Sequence, residues 1–283
     1  MSAGLYDSVA DFYNQTIPIL LDTEEAFYSE PRGKPCYEFL AVRNMFMDPR
    51  LCVYDNEIRR YQWRYLAGEL NWYLDGDNTV DGILPYSKFW GGITNPDGRT
   101  INSNYGHLLF KKEGIDGETQ WEWAFNELCS DPDSRRAIMY LGGPDYQKEG
   151  IKDFVCTSTI QFFIRDRYLH CVVNQRSCDL NFGLPYDLPW FSILQQNMLL
   201  LINSAMAEDF ELGALVHMIG SMHVYESNQE KLGEAAEDGF ETPGALELVE
   251  PLINEYGERL PLKPDQDLIH KLIDTEKNPF EEE

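Results

Sequence analysis

Cys156 sits in the string DFVCT (153–157), 20 residues before Arg176 in QRSCD (175–179), and GLPYD (183–187) follows with Asp187 at its end. These segments collect a thiol, an arginine beside a serine, and a carboxylate next to a Gly-Leu-Pro turn. A thiolate is a nucleophile, a guanidinium with a hydroxyl grips an anion, and a carboxyl group can read the polar edge of a ring. Together they suit covalent attack on a heterocycle that carries a phosphate.

Each residue also has a plainer reading. Cys156 is either a buried structural cysteine or a nucleophile. In the second role its thiol pKa, ~8.5 in model peptides, needs lowering by nearby positive charge. Arg176 can supply that charge, because a hairpin of residues 158–165 and 168–176 puts it opposite Cys156–Thr157. Glu69, within ELNWYL, is either a solvated helix residue or an acid/base. Asp187 either caps an apolar helix starting near residue 190 or reads a ligand. His223 and Tyr225 share one strand face by period-two geometry, where they either pack in the core or pinch a sugar hydroxyl. Arg135, Arg136 and Arg176 are either solvated ion-pair partners or a local reversal of charge.

That reversal matters because acidic residues number 48 against 23 basic ones, a net charge of −25. The field opposes polymeric nucleic acid, which needs a basic stripe, but admits a small anion where arginines gather. The six cysteines show no Cys-x-x-Cys pair and no ligand spacing for zinc, so reduced thiols and no metal site are expected. No run of 18 apolar residues occurs and the N-terminus has no basic region before an apolar stretch. The expectation is therefore a cytoplasmic chain with no membrane partner.

The elements that must position these residues follow from periodicity. Residues 56–74 predict a helix with Asn56 as its cap. Residues 75–106, rich in Gly, Asp, Asn and Pro, predict an ordered loop region. Strands are predicted over 135–141, 158–165, 168–176 and 216–225, and a buried helix over 192–207. Charge rises from 228, and Glu281–Glu283 predict a frayed acidic end. Strand and helix mix irregularly, which predicts an α+β fold: one domain over 1–283, with a large mixed β-sheet flanked by helices. Its core spans about 30–228 and an acidic extension covers 229–283.

Taken together, the segments resemble the thymidylate synthase superfamily over roughly residues 30–228. DPDSRR (131–136), Arg176-Ser177, Asp179, GLP (183–185) and His223-x-Tyr225 fall in that family's order, and ELNWYLDGD (69–77) is similar to its ELLWFLxGD. Three departures resemble its phage deoxycytidylate hydroxymethylase branch: Val155-Cys156-Thr157 for Pro-Cys-His, GLPYD for GLPFN, and Trp90-Gly-Gly-Ile93 for Trp-x-x-Trp. INSNYG (101–106), DFVCT and GSMHVY (220–225) point the same way. The change to Asp187 has a physical reason. Cytosine offers an amino donor and an unprotonated ring nitrogen, and a carboxyl group can accept from the first and share a proton with the second. A mismatched buried polar pair costs about 1–3 kcal/mol, enough for roughly tenfold to hundredfold discrimination.

The resemblance implies the remaining roles. Cys156 would attack carbon 6 of a pyrimidine, Asp187 would stabilise the charge shift on the ring, and Glu69 would organise the water that ends the reaction. The co-substrate would be 5,10-methylenetetrahydrofolate, lined by Trp90 and bound by Asp179. Arg176 and Ser177 would hold the nucleotide phosphate, helped by Arg32 and by Arg135 and Arg136 from the other subunit of a homodimer formed through the sheet. His223 and Tyr225 would bind the 3′ hydroxyl. The implied product is 5-hydroxymethyl-dCMP, made in a host cytoplasm on a phage nucleotide-modifying pathway. Hydroxymethylation of CMP or dUMP, reductive methylation, and an inactive nucleotide-binding scaffold stay open as alternatives.

Overall fold

Alternating burial and helical periodicity lay out the chain as seven strands and six α-helices among the described residues. A computed structural model describes residues 4–22, 24–114, 116–261 and 271–273. In chain order the elements are β1 (Gly4–Tyr6), α1 (Val9–Leu21), β2 (Phe27–Ser29), β3 (Cys36–Phe46), α2 (Trp63–Asp75), α3 (Tyr105–Phe110), α4 (Gln120–Ser130), β4 (Ile138–Tyr140), β5 (Thr157–Arg165), β6 (Tyr168–Asp179), α5 (Leu184–Met206), β7 (Glu211–Tyr225) and α6 (Glu226–Asp238). The strands form one sheet in the order β1-β3-β7-β6-β5-β4, with β2 on β3. It is mixed, since β1 runs parallel to β3 while β2–β3, β3–β7 and β4–β5 are antiparallel. The α+β fold with a large mixed sheet flanked by helices is the one expected.

The described chain falls into two compact units, one of residues 4–61, 171–192 and 213–246, the other of 62–170, 193–212 and the described residues from 247 onward. In the first, β3 pairs with β7 over Cys36↔Tyr225 to Phe46↔Leu215. Helix α1 starts where the Ser8 hydroxyl accepts from the Asp11 amide at 3.1 Å, a conventional cap. It buries Phe12, Tyr13 and Ile17 completely. Gly220 of β7 has no side chain because a Cβ there would stand 2.6 Å from the Arg176 carbonyl oxygen of β6.

In the second unit, α2 ends at Gly76, whose left-handed φ of 66° lets its amide close on the Trp72 and Tyr73 carbonyls. Helix α4 opens with a capping box between Thr119 and Glu122. Asn197 of α5, fully buried, donates to the Ile253 carbonyl and accepts from the Leu252 and Ile253 amides, tying down the segment beyond residue 247.

Several boundaries differ from expectation. The helix expected over 56–74 begins at Trp63, because the Asn56 side chain accepts from the Ile58 and Arg59 amides in a local turn rather than capping a helix. The strand expected over 135–141 shortens to 138–140, and those expected over 168–176 and 216–225 lengthen to 168–179 and 211–225. The buried helix begins at Leu184, not near 190, so Asp187 lies inside its first turn and is not its cap. Residues 75–106 are irregular apart from the end of α2, a short 3-10 turn at Trp90–Gly92 and the start of α3. Of the acidic extension, the rest of α6, 239–261 and 271–273 are described; Glu281–Glu283 lie outside the described residues.

Candidate active site

The first unit holds Arg32, Arg176, Ser177, Asp179, Asp187, His223 and Tyr225. The end of strand β6 delivers four polar residues within a span of five. Gln175 is buried on the core side, Arg176 is exposed, Ser177 is half-buried, and Asp179 ends the strand half-buried. Burial raises the Asp179 carboxyl above the usual range, while the Asn181 amide and the nearby His223 pull it down. That amide reaches Asp179 Oδ1 at 2.7 Å. His223 and Tyr225 do share a face of β7: their rings meet edge to face at 5.0 Å. Lys34 lies 5.9 Å from the Tyr225 ring centre. Burial raises the Tyr225 hydroxyl above its usual range, and nearby Arg32, whose backbone is left-handed, opposes that shift.

Asp187 is strongly perturbed. Part of its surface stays accessible, yet the surrounding protein removes enough water to push its carboxyl up to about 6. Gln175 opposes the shift by donating from Nε2 to Asp187 Oδ2 at 2.9 Å. Gln175 in turn accepts at Oε1 from His217 Nε2 at 2.7 Å. His217 is fully buried, and burial holds its imidazole down at about 3, so it is neutral.

The second unit holds Glu69, Trp90, Arg135, Arg136 and Cys156. Glu69 is buried, so the surface reading is excluded. It accepts from the Tyr65 hydroxyl at 2.8 Å and the Tyr73 hydroxyl at 3.4 Å. The Trp90 indole donates to Tyr65 Oη at 3.1 Å, which makes a chain Trp90–Tyr65–Glu69. Phe89, beside Trp90, is exposed.

Cys156 is half-buried and its thiol points toward the Phe154 carbonyl, 4.0 Å away. In contrast, complete burial pushes the Cys52 thiol up to about 12. The segment before Cys156 is anchored by Asp153, which accepts from the Asn102 and Ser103 amides, each at 2.7 Å, and from the Ser103 hydroxyl. Arg135 and Arg136 are exposed, and Glu127 holds the Arg136 guanidinium at 2.8 Å. The Ser134 hydroxyl, more than that guanidinium, keeps the Glu127 carboxyl below the usual range. Among the described residues no cluster of His, Cys, Asp and Glu could hold a metal ion, and no helix is long and apolar enough to cross a membrane.

Comparison with known proteins interprets these positions. The family model for thymidylate synthase matches residues 56–254. The chain belongs to the thymidylate synthase family. The match takes in β6 with Gln175, Arg176 and Ser177, the Asp187 helix and the Glu69 helix, and leaves Arg32 outside. Among curated relatives, the deoxycytidylate 5-hydroxymethyltransferases of Enterobacteria phages T4, T2 and T6 are each 34% identical over 169 residues. The matched stretch is 57% of this chain and 66% of each relative, so the chain spans just under two thirds of their length.

Sequence reasoning passed over the hydrogen bonds that join Tyr65 to Glu69 and Gln175 to both Asp187 and His217. For Gln175 and His217 a signal was present. Gln175 shares the core face of β6 with Cys171 and Val173, and His217 shares that of β7 with Leu215 and Ile219. A polar residue on an otherwise apolar period-two face demands a buried partner. For Tyr65, one turn before Glu69, the helical i,i+4 spacing was the clue.

Proposed function

We propose that this protein transfers a one-carbon unit from 5,10-methylenetetrahydrofolate to carbon 5 of dCMP and hydrates it, giving 5-hydroxymethyl-dCMP and tetrahydrofolate. One observation carries the reading: Asp187 is a carboxyl group poised near pH 6, with one oxygen already engaged by Gln175. Such a group can share a proton with the ring nitrogen of cytosine and accept from its amino group, whereas uracil presents the opposite pattern. The names of the phage relatives support the same substrate.

In this reading Cys156 adds its thiolate to carbon 6, which makes carbon 5 nucleophilic. Asp187 takes up the charge shift at the ring nitrogen and amino group. Bound methylenetetrahydrofolate supplies the one-carbon unit to carbon 5, which then loses its proton. Tetrahydrofolate departs to leave an exocyclic methylene, and the Cys156 thiolate leaves carbon 6 as water adds to that methylene. Glu69, held by Tyr65 and Tyr73, positions and activates the water that adds last. Arg176 and Ser177 grip the phosphate with Arg32, and His223 and Tyr225 take the 3′ hydroxyl. Support for the folate fit comes from the exposed Phe89 ring, packed edge-on against buried Trp90, and from the half-buried Asp179 carboxyl, an acceptor for a pteridine N–H. The active unit is a homodimer in which Arg135 and Arg136 serve the other subunit, and the enzyme works in the cytoplasm. Leu40 and Met218, exposed on β3 and β7, support a dimer through the sheet.

The test incubates the protein with methylenetetrahydrofolate and dCMP, CMP or dUMP, and reads product mass and dihydrofolate absorbance. A hydroxymethyl gain on dCMP without dihydrofolate is expected. Dihydrofolate formation would mean reductive methylation, and turnover of dUMP in preference to dCMP would remove Asp187 as the base reader.

A further inference from the structure

His217, Gln175 and Asp187 form a hydrogen-bonded row that no step above uses in full. Its orientation follows from what each atom can do. Gln175 Oε1 only accepts, so the 2.7 Å contact puts the imidazole hydrogen on His217 Nε2. The reverse arrangement would turn the Gln175 oxygen toward Asp187 and move the imidazole hydrogen to Nδ1. His217 Nδ1 is buried and has no hydrogen-bond partner among the described residues, and an orphaned buried N–H costs more than an orphaned lone pair. Among the described residues the ring's neighbours on the packed elements are uncharged: Phe191 of α5 meets it at 5.9 Å, Asn44 stands opposite on β3, and Gln175 comes from β6. The Nε2–H form is therefore locked, and with it the Gln175 amide.

We infer that His217 is a positioning residue which, through Gln175, fixes Asp187 Oδ2 as a hydrogen-bond acceptor and confines the carboxyl proton to Oδ1. This deepens the proposed reading of Asp187 as the cytosine reader and rests on it. A carboxyl group whose two oxygens are made unequal presents one donor and one acceptor side by side, the complement of a ring nitrogen next to an amino group. Without the lock, Gln175 can turn its oxygen toward a protonated Oδ2, and the pattern that Asp187 offers reverses. His217 thus acts on specificity from a position buried behind the reader. The neutrality of the imidazole, held at about 3 by burial, keeps the lock unchanged across the working range.

The experiment measures tritium release from carbon 5 of dCMP and of dUMP by the full chain with methylenetetrahydrofolate, and takes the ratio of the two kcat/KM values. His217→Phe, which keeps the ring packed on Phe191, should lower the dCMP preference about tenfold or more. His217→Gln, which restores an N–H donor, should recover most of it. Wild-type preference abolished by Asp187→Asn but unchanged by His217→Phe would leave the base-reading intact and overturn the role of His217. A wild type that does not prefer dCMP would instead sink the base-reading itself. Should His217→Phe not fold, 15N-histidine NMR of the wild type decides. One imidazole must remain neutral and protonated at Nε2 from pH 8 to pH 5; finding every imidazole titrating, or the neutral one protonated at Nδ1, refutes the inference.

Discussion

The Arg59 guanidinium holds Asn181 twice, donating to its side-chain oxygen and to its carbonyl oxygen, both at 2.6 Å. Both residues are buried, and the grip fixes the turn between Asp179 and the Leu184 helix. Tyr13 adds a hydroxyl to the Leu180 carbonyl at 2.5 Å, and Tyr61 donates to that of Pro185. Arg59→Ala leaves two buried oxygens unpaired and should cost about 3 kcal/mol or more. Arg59→Lys should recover little, because an ammonium lacks the planar fork. Urea unfolding midpoints check both.

Asp187 gives a pH signature in stability. Burial raises its folded-state pKa to about 6, above the unfolded value, so the folded state binds its proton more tightly. Stability from this group is complete below about pH 4 and is lost as pH rises through about 6. Asp187→Asn does not titrate and still offers Gln175 an oxygen. It should match the wild type near pH 4 and exceed it above pH 7 by on the order of 2 kcal/mol. Chemical denaturation at the two pH values measures the difference, and an advantage that stayed constant with pH would contradict the assignment.

Tyr65→Phe removes the hydroxyl that joins Trp90 to Glu69. If Glu69 handles the final water, product formation should fall roughly tenfold or more while tritium release from carbon 5 of dCMP persists. Cys156→Ala should abolish both. Comparing release with product in one assay separates the two effects.

Gly220→Ala places a Cβ 2.6 Å from the Arg176 carbonyl, a backbone atom that cannot swing aside. Overpacking of this kind costs about 1–3 kcal/mol. The shift falls on the backbone of Arg176, so if Arg176 holds the phosphate as proposed, KM for the nucleotide should rise as well. Isothermal titration with dCMP reports the loss.

Subunit mixing tests the dimer. Cys156→Ala and a double Arg135→Ala, Arg136→Ala variant should each be nearly inactive alone. Mixed after mild dissociation, they should regain activity, because a heterodimer rebuilds one complete set of residues. No recovery would place both arginines in the service of their own subunit.

Local chemistry was enough to single out Cys156, Arg176, Asp187 and the His223–Tyr225 pair, because nucleophile, anion holder and strand-face rings each depend on residue type and short spacing. The alternation along β6 and β7 likewise made the strands legible, though their ends moved where pairing continued past the apolar run. Helix starts were less legible. Asn56 has the chemistry of a cap but spends it on a turn, and α5 begins at Leu184, already fully buried, six residues before the expected start near 190. What only the tertiary structure decided is the environment of each polar group. Whether Glu69 is solvated or buried under Tyr65, and which side of Asp187 meets Gln175 and through it His217, depends on contacts 4 to 42 residues apart in the chain. Burial and hydrogen-bond partners set protonation, and both are properties of packing in three dimensions that a linear string of residues does not contain.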